Sequence, residues 1–522
     1  MLQTNYIIAC IAILITFLTS CENLEQNNKK SGSGMSEIDQ FDLAIDEYRF
    51  SNEELKKQFT DSVRFYYSQN DFKPTWFIND SLNDSTIIQF YQYLNNDTLL
   101  NIPLGYLSIP QNLEYKSRWS KEIHLFLRCT AYLNAVRGGI YNFKDTSFNQ
   151  PNLNSFHITQ EFIEKKSKNE SWINHLIQHE VKNKDIVKLH KAINEFSTHF
   201  VLKREPFEID TSFIDSSINL GLTYYGYAFA TDSSEKIKNL KNFQYSNGLK
   251  ADGVLGKNTF AALGKSNLER YYQSIITLDH LRQLSDSILP KKNIRVNVPT
   301  FSLKFTNNDT VAFEARVIVG AKKTKTKSFQ AKAKYIVTNP YWHVPHSIAS
   351  KEIVYGARRD SNLFNKKGYE LLKNNVVINH DSIDWSKYNR NYFPFRIRQK
   401  FGSSNSLGKV KLLFPNPFMI YIHDTPSKRL FNTSVRAYSH GCIRTENPDS
   451  LAKLILQFED HAYLDSIDSL YYRDKETYLR LNDQFVVSIE YQTVVVDDST
   501  NQLRVYPDIY GRLTDFIELS KQ

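Results

Sequence analysis

A chain of 522 residues is too long to close around one hydrophobic core, so roughly two to four domains are expected. With 41% hydrophobic and 23% charged residues, the composition is that of folded protein. The net charge of +9 is spread along the chain, gathering only into short clusters such as Lys322-Lys323-Thr324-Lys325, and no nucleic-acid module is recognisable. That excludes nucleic acid as the partner and leaves a solvated basic face.

Residues 7–18 form an apolar run broken only by Thr16. It is too short to span a bilayer and has the length of a signal-peptide core. The run ends in Leu18-Thr19-Ser20-Cys21, which resembles a bacterial lipoprotein signal, with small residues ahead of a cysteine that is lipidated and becomes the new amino terminus. Residues 1–20 are therefore read as signal peptide, Cys21 as the lipidation site, and the membrane as a partner through that anchor. Simple secretion or an uncleaved anchor is the alternative, and either exports the body of the protein. Glu22 stands where aspartate is linked to inner-membrane retention, which favours the outer membrane. Residues 21–44, with Asn27-Asn28-Lys29-Lys30 and Ser31-Gly32-Ser33-Gly34, read as a flexible tether.

From 45 to 215 apolar residues recur at three- and four-residue intervals, as in Ile87, Ile88, Tyr91 and Leu94, which predicts a helical scaffold. Cys129 falls in such a pattern and reads as a small buried side chain; a disulfide to Cys442 is conceivable in an oxidising compartment. Between 216 and 268, Ile237, Leu240 and Phe243 share a helix face, Gly248 and Gly253 supply turns, and a short helix begins at Thr259, which predicts a small helical module. A helical linker at 269–289 follows. Beyond 290 the period becomes two: Ile294, Val296 and Val298 alternate, then Phe301, Leu303 and Phe305, with further strands at 311–319, 335–338 and 418–423. Asn447-Pro448-Asp449 opens a helix with an asparagine cap. The fold class is α+β and multidomain, with a mostly β domain at 290–475 and a β extension at 476–522.

The chemistry concentrates in Tyr438-Ser439-His440-Gly441-Cys442-Ile443-Arg444, with His423 nineteen residues before the cysteine. A histidine brought beside a cysteine by the fold makes it a nucleophile. Tyr421 and His423 would share one face of a strand. Gly441 allows close backbone approach, and the Gly441 and Cys442 N–H groups are candidates to face a developing oxyanion. The residues at His423, His440 and Cys442 lack a fourth ligand at metal spacing, so no metal is expected.

At these residues the sequence resembles the L,D-transpeptidases with a YkuD-type catalytic domain, in their long YcbB-like form. The resemblance is densest at Val337-Thr338-Asn339-Pro340-Tyr341-Trp342-His343-Val344-Pro345, at Leu407-Gly408-Lys409-Val410-Lys411, and from His423 to Arg444. It implies a helical scaffold, a three-helix peptidoglycan-binding module at 216–268, and a catalytic domain whose helical capping insertion spans about 346–410. It implies that Cys442 attacks a tetrapeptide stem of peptidoglycan, releases D-alanine as a thioester forms, and passes the acyl group to another stem as a 3→3 cross-link, without cofactor. His423 would be the base, oriented by the Asp424 carbonyl; Gly441 and His440 would line the oxyanion region; Tyr421, Trp342, Ser439 and Arg444 would meet substrate. His440 packing the turn, Arg444 in a loop-stabilising ion pair and Trp342 in the core are the alternatives at those positions. The resemblance also implies a periplasmic location and acylation of Cys442 by carbapenems. Carboxypeptidase action, D-amino-acid exchange, protein attachment to the wall, or a non-catalytic tether are the competing functions.

Overall fold

The computed structural model describes residues 35–46, 53–69, 117–126, 184–203 and most of 211–520, with short pieces between 71 and 82, 139 and 148, and 205 and 209. The signal segment, Cys21 and Cys129 lie outside the described residues. The chain divides into two compact units, Met1–Ala135 with Gln150–Ile177, and Val136–Asn149 with Gln178–Gln522.

In the first unit a helix occupies Glu37–Asp46, most of it in the stretch 21–44 expected to be tether. Its start has a local cause: Ser36 Oγ accepts from the Asp39 N–H at 3.2 Å, and Asp39 Oδ2 accepts from the Ser36 N–H at 3.2 Å, a reciprocal cap. Its inner face buries Phe41, Ala44 and Ile45 against Tyr67 and Trp119. Trp119 meets Phe41 edge-on at 5.2 Å and donates its indole N–H to Glu37 at 2.8 Å. The stretch 45–215 does not form one scaffold, because Lys184–His199 belongs to the second unit.

In the second unit a run of helices from Lys184 to Leu284 precedes the main sheet. Ser233–Ser246 is capped by Asp232, whose carboxylate accepts from the Ser234 and Glu235 N–H groups. Leu240 and Phe243 point inward to Leu222, Tyr225 and Leu263, whereas Ile237 is exposed, so the apolar face is narrower than the sequence pattern suggested. The turns fall where glycine was expected, with Gly248 at φ +63° and Gly253 at φ +74°. The buried Gln244 amide fastens the second turn, accepting from the Gly253 N–H at 2.8 Å and donating to the Val254 carbonyl at 2.8 Å. Asn267–Leu284 then leads toward the sheet as a helix.

Eleven strands form the main sheet: β1 Lys292–Asn297, β2 Ser302–Asn307, β3 Thr310–Gly320, β4 Phe329–Lys332, β5 Tyr335–Thr338, β6 Val410–Leu413, β7 Ile422–His423, β8 Ala437–Ser439, β9 Ile443–Thr445, β10 Thr477–Arg480 and β11 Val486–Glu490. Their spatial order is β10-β5-β6-β7-β9-β3-β2-β1-β11-β4, with β8 beside β3. Most neighbours are antiparallel, but β8 with β3, β11 with β1, and β7 with β9 run parallel, the last with Ile422 opposite Ile443 and His423 opposite Arg444. The expected extension at 476–522 is corrected: β10 pairs with β5, and β11 sits between β1 and β4 inside the sheet. Val487 and Ile489 join the core with Ile294, Val296, Leu303 and Phe305, each such side chain contributing about 1.5–3 kcal/mol by leaving water. The helix Pro448–Phe458 forms with Pro448 in its first turn, but Asn447 has φ +53° and makes no side-chain cap bond.

The insertion carries its own four-stranded antiparallel sheet, in the order Trp342–His343, Arg396–Gln399, Tyr369–Lys373, Val376–Ile378. It therefore begins at Trp342, before the expected 346, since Trp342 pairs with Gln399 and His343 with Arg398. Its own core includes Ile353, Phe364, Leu371 and Phe395. The buried Asn405 amide ties its neck, donating to the Pro340 carbonyl at 3.0 Å and the Lys400 carbonyl at 2.8 Å.

Candidate active site

Residues opposite one another in a parallel pair face the same side of a sheet, and so do residues two apart on a strand. The β7–β9 register therefore puts Tyr421, His423, Cys442 and Arg444 on one face, while Ile422 and Ile443 turn into the core. The Ile443 N–H donates to the Tyr421 carbonyl at 3.0 Å, which fixes Cys442 beside Tyr421. The Tyr421 and His423 rings meet edge-on at 5.5 Å.

His423 is buried, and its Nδ1 lies 2.5 Å from the Asp424 carbonyl oxygen. A carbonyl can only accept, so Nδ1 carries the proton and Nε2 presents a bare lone pair. The Asp424 carboxylate is held in turn: it accepts from the Lys409 N–H at 2.9 Å, the Thr425 N–H at 2.6 Å and the Lys428 ammonium at 2.6 Å. Gly408, at φ +59°, is needed here, because a Cβ would come within 2.1 Å of the same carboxylate. Burial, then the Arg444 charge, pull His423 down to about 3 against the Asp424 bond, and Lys411 adds to the effect.

Cys442 is a free, half-buried thiol. Burial pushes it up more than the Tyr421 hydrogen bonds and the Arg444 charge pull it down. The resting pair is thus a neutral thiol and a neutral imidazole. The thiol faces the Met419 carbonyl at 3.7 Å. Met419 has φ +55° and is held in that turn by Asn416, whose side-chain oxygen accepts from the Phe418 and Ile420 N–H groups at 3.1 Å.

The Ser439–Cys442 turn is braced more tightly than its sequence suggested. Ser439 Oγ donates to the Cys442 carbonyl at 2.6 Å and accepts from the Gly441 N–H at 3.1 Å. Ser439 is therefore a buried brace and not a substrate contact, and the Gly441 N–H is engaged in the turn and not free for an oxyanion. Among the described residues the Cys442 N–H has no hydrogen-bond acceptor, which leaves it available to meet one. Gly441 itself has φ +121°, which only glycine adopts without strain. Thr324 donates to the Ser439 carbonyl at 2.8 Å and Thr326 to the Gly441 carbonyl at 2.8 Å. Neither threonine carried a sequence signal, since both come from the loop after β3.

His440 turns to the insertion, its Nε2 2.8 Å from Glu352, with both side chains about half exposed. Trp342, on the insertion's first strand, is half-buried and lies near the Tyr421 hydroxyl, which is also close to Cys442. It is not a core residue. Arg444 does not form the expected ion pair among the described residues; its Nε is buried without a hydrogen-bond partner. Lys411, opposite His423 on β6, shares the face and pairs with Glu476 at 3.7 Å. Glu476 also accepts from the Tyr341 N–H at 3.0 Å. The Lys411–Glu476 pair links segments too far apart in sequence for spacing to suggest it.

Residues 291–460 match the family model of the YkuD L,D-transpeptidase catalytic domain, and residues 228–263 match a model described as "Putative peptidoglycan binding domain". A protein of Haemophilus influenzae named "Putative L,D-transpeptidase" is 36% identical over 165 residues, covering 31% of this chain and 33% of that one. The match thus spans about a third of that relative's length. The crystal structure of an L,D-transpeptidase (Yku) from Stackebrandtia nassauensis is 13% identical, covering 55% of this chain and 97% of that one at a TM-score of 0.18.

Proposed function

We propose that this chain, in which residues 291–460 match the YkuD L,D-transpeptidase catalytic domain and residues 228–263 a putative peptidoglycan binding domain, is a peptidoglycan L,D-transpeptidase of the cell envelope that forms 3→3 cross-links through a Cys442 thioester. The observation that carries this reading is the parallel β7–β9 pairing, which gathers an imidazole with a fixed tautomer and a free thiol on one face.

Since both groups rest neutral, the thiol is deprotonated as it attacks and not beforehand. His423 Nε2 takes the Cys442 proton while sulfur bonds to the carbonyl carbon of the third stem residue. The oxygen, now negative, is met by the Cys442 N–H. The C–N bond to the terminal D-alanine then breaks, and His423 returns the proton to the departing amine. A second stem's side-chain amine attacks the thioester, its proton passes to His423, and the thiol is regenerated. The energy of the broken amide is conserved in the thioester, so the scheme uses no cofactor.

Arg444 supports the reading as a cation without a carboxylate partner beside the thiol, suited to a stem carboxylate. Trp342 and Tyr421 give the stem an aromatic wall, and the His440–Glu352 contact joins the catalytic turn to the insertion that would cover it. We further propose lipidation at Cys21, the periplasmic face of the outer membrane as the location, and carbapenems as acylating inhibitors. The test is incubation with disaccharide-tetrapeptide and mass analysis beside Cys442→Ala. Cross-linked dimers lacking one D-alanine, absent from the variant, are expected; tripeptide alone would make the protein a carboxypeptidase, and no Cys442-dependent product would overturn the enzyme.

A further inference from the structure

A second concavity, of about 520 Å³, lies where the peptidoglycan-binding domain, the carboxy-terminal hairpin Val494–Val496/Leu503–Val505 and the main sheet meet. Its volume is in the range of about 300–1,000 Å³ usual for ligand sites. Its walls bring together Lys250, Arg316, Arg436 and Arg504 with the rings of Phe301 and Tyr506.

The walls are fixed in place. Tyr245 donates to Asp497 at 2.5 Å, the Arg504 guanidinium stacks 3.8 Å from the Tyr245 ring, and Gln273 donates to the Tyr506 carbonyl at 2.8 Å. Gly248, at φ +63°, lets the backbone lie flat on Tyr506, because a Cβ would come within 2.1 Å of that ring. The helical domain is thus seated on the hairpin, and the concavity is a built feature of their junction.

Its charge is not balanced. Arg316 is neutralised by Glu446 through two hydrogen bonds of 2.8 and 2.5 Å, while Lys250 has Asp252 at 3.5 Å and Arg504 has Asp497 at 3.9 Å. Arg436 has no carboxylate within salt-bridge distance among the described residues. It donates to the backbone carbonyls of Val317, Thr433 and Phe301 at 3.2, 2.9 and 3.3 Å and lies over the Phe301 ring. Those carbonyls orient the guanidinium without cancelling its charge. Burial, then the neighbouring Arg316, pull Arg436 down to about 10 against the Glu446 charge.

Position supplies the last step. Four residues along β3 separate Gly320, level with the catalytic turn, from Arg316 at the concavity. That is ~13 Å of strand, so one wall fragment can reach both places. We propose that this concavity is an anion-recognition site for a carboxylate-bearing stem peptide of the same wall fragment whose reacting stem occupies the cleft, with the rings of Phe301 and Tyr506 covering its apolar parts. The proposal rests on the transpeptidase reading above.

Hydrogen exchange on the full chain carrying Cys442→Ala separates the two. Disaccharide-tetrapeptide is expected to protect residues 248–250 and 504–506 as well as the cleft strand pair. The same compound with its carboxylates amidated should lose the first protection. Lys250→Glu together with Arg504→Gln should weaken it at least tenfold and keep that of the cleft. Lys250→Glu alone alters one exposed side chain and serves where the double variant fails to fold; at least a threefold weakening is expected. Protection of the cleft alone, or protection at 248–250 that survives amidation or Lys250→Glu, overturns the concavity as an anion site and leaves the transpeptidase standing. Protection in neither place overturns both.

Discussion

The two ends of β3 treat polar groups in opposite ways. At the Gly320 end, around Cys442, groups are left short of partners: the Cys442 N–H has no acceptor among the described residues, the Arg444 Nε is buried without one, and a buried imidazole is kept neutral. At the Arg316 end, cations are held by carboxylates, rings and backbone carbonyls, and only one charge is left over. Unsatisfied groups cost stability and suit a site that must bond to something appearing only during reaction. Satisfied and oriented groups suit a site that only holds. The same strand therefore runs from a set of groups short of partners to a set that is held and oriented.

Substitutions can break that contrast, and the largest effect belongs to the Gly320 end. Cys442→Ala is expected to lower transfer by about a thousandfold or more with folding unchanged, read by product formation and thermal melting. His423→Gln should cost about 10²–10⁴ in rate, since the general base is lost. The same variant has a stability signature. His423 sits near 3 when folded and near its ordinary value of 6.5 when unfolded, so the unfolded chain binds the extra proton first as pH falls. Its contribution is complete above about pH 6.5 and is lost on descending toward pH 3, at most by about 5 kcal/mol. Urea unfolding at pH 7 and pH 4 should show a smaller difference in His423→Gln than in the parent. Lys411→Met strands Glu476 and should destabilise by about 3 kcal/mol, with Lys411→Met/Glu476→Gln recovering most of it in the same unfolding assay. Because the thiol is raised by burial, alkylation of Cys442 by iodoacetamide, followed by peptide mass, should keep rising with pH beyond 9; a plateau near neutrality would mean a resting thiolate. The smallest effect is His440→Gln, whose exposed contact with Glu352 should be worth less than about 1 kcal/mol in thermal unfolding.

Local patterns in the sequence carried the strands and the reactive pair. Ile294, Val296, Leu303 and Phe305 are core residues because alternation alone dictates which face they take. Gly248 and Gly253 were legible because positive φ leaves few alternatives, whereas His423 and Cys442 stood out by residue type and are set on one face by the β7–β9 register. What was not legible depends on pairings between distant segments. Val487 and Ile489 looked like a terminal extension, yet β11 lies inside the sheet between β1 and β4. Ser439 looked like a substrate contact because nothing in its neighbourhood reveals that it bonds both sides of its own turn. Thr324 and Thr326 brace that turn from more than a hundred residues away. The helix Glu37–Asp46 was hidden because one short amphipathic segment after a polar run acquires meaning only when Trp119 covers it.

The central claim is that Cys442 becomes an acyl thioester with His423 as its base. Mixing the full chain with disaccharide-tetrapeptide, quenching in acid within milliseconds to seconds, and weighing the intact protein tests it directly. The account predicts an adduct on Cys442 equal to the fragment minus one D-alanine, forming at least a hundredfold more slowly in His423→Gln. A turnover that proceeds with no such adduct, or an adduct forming as fast without His423, would contradict it.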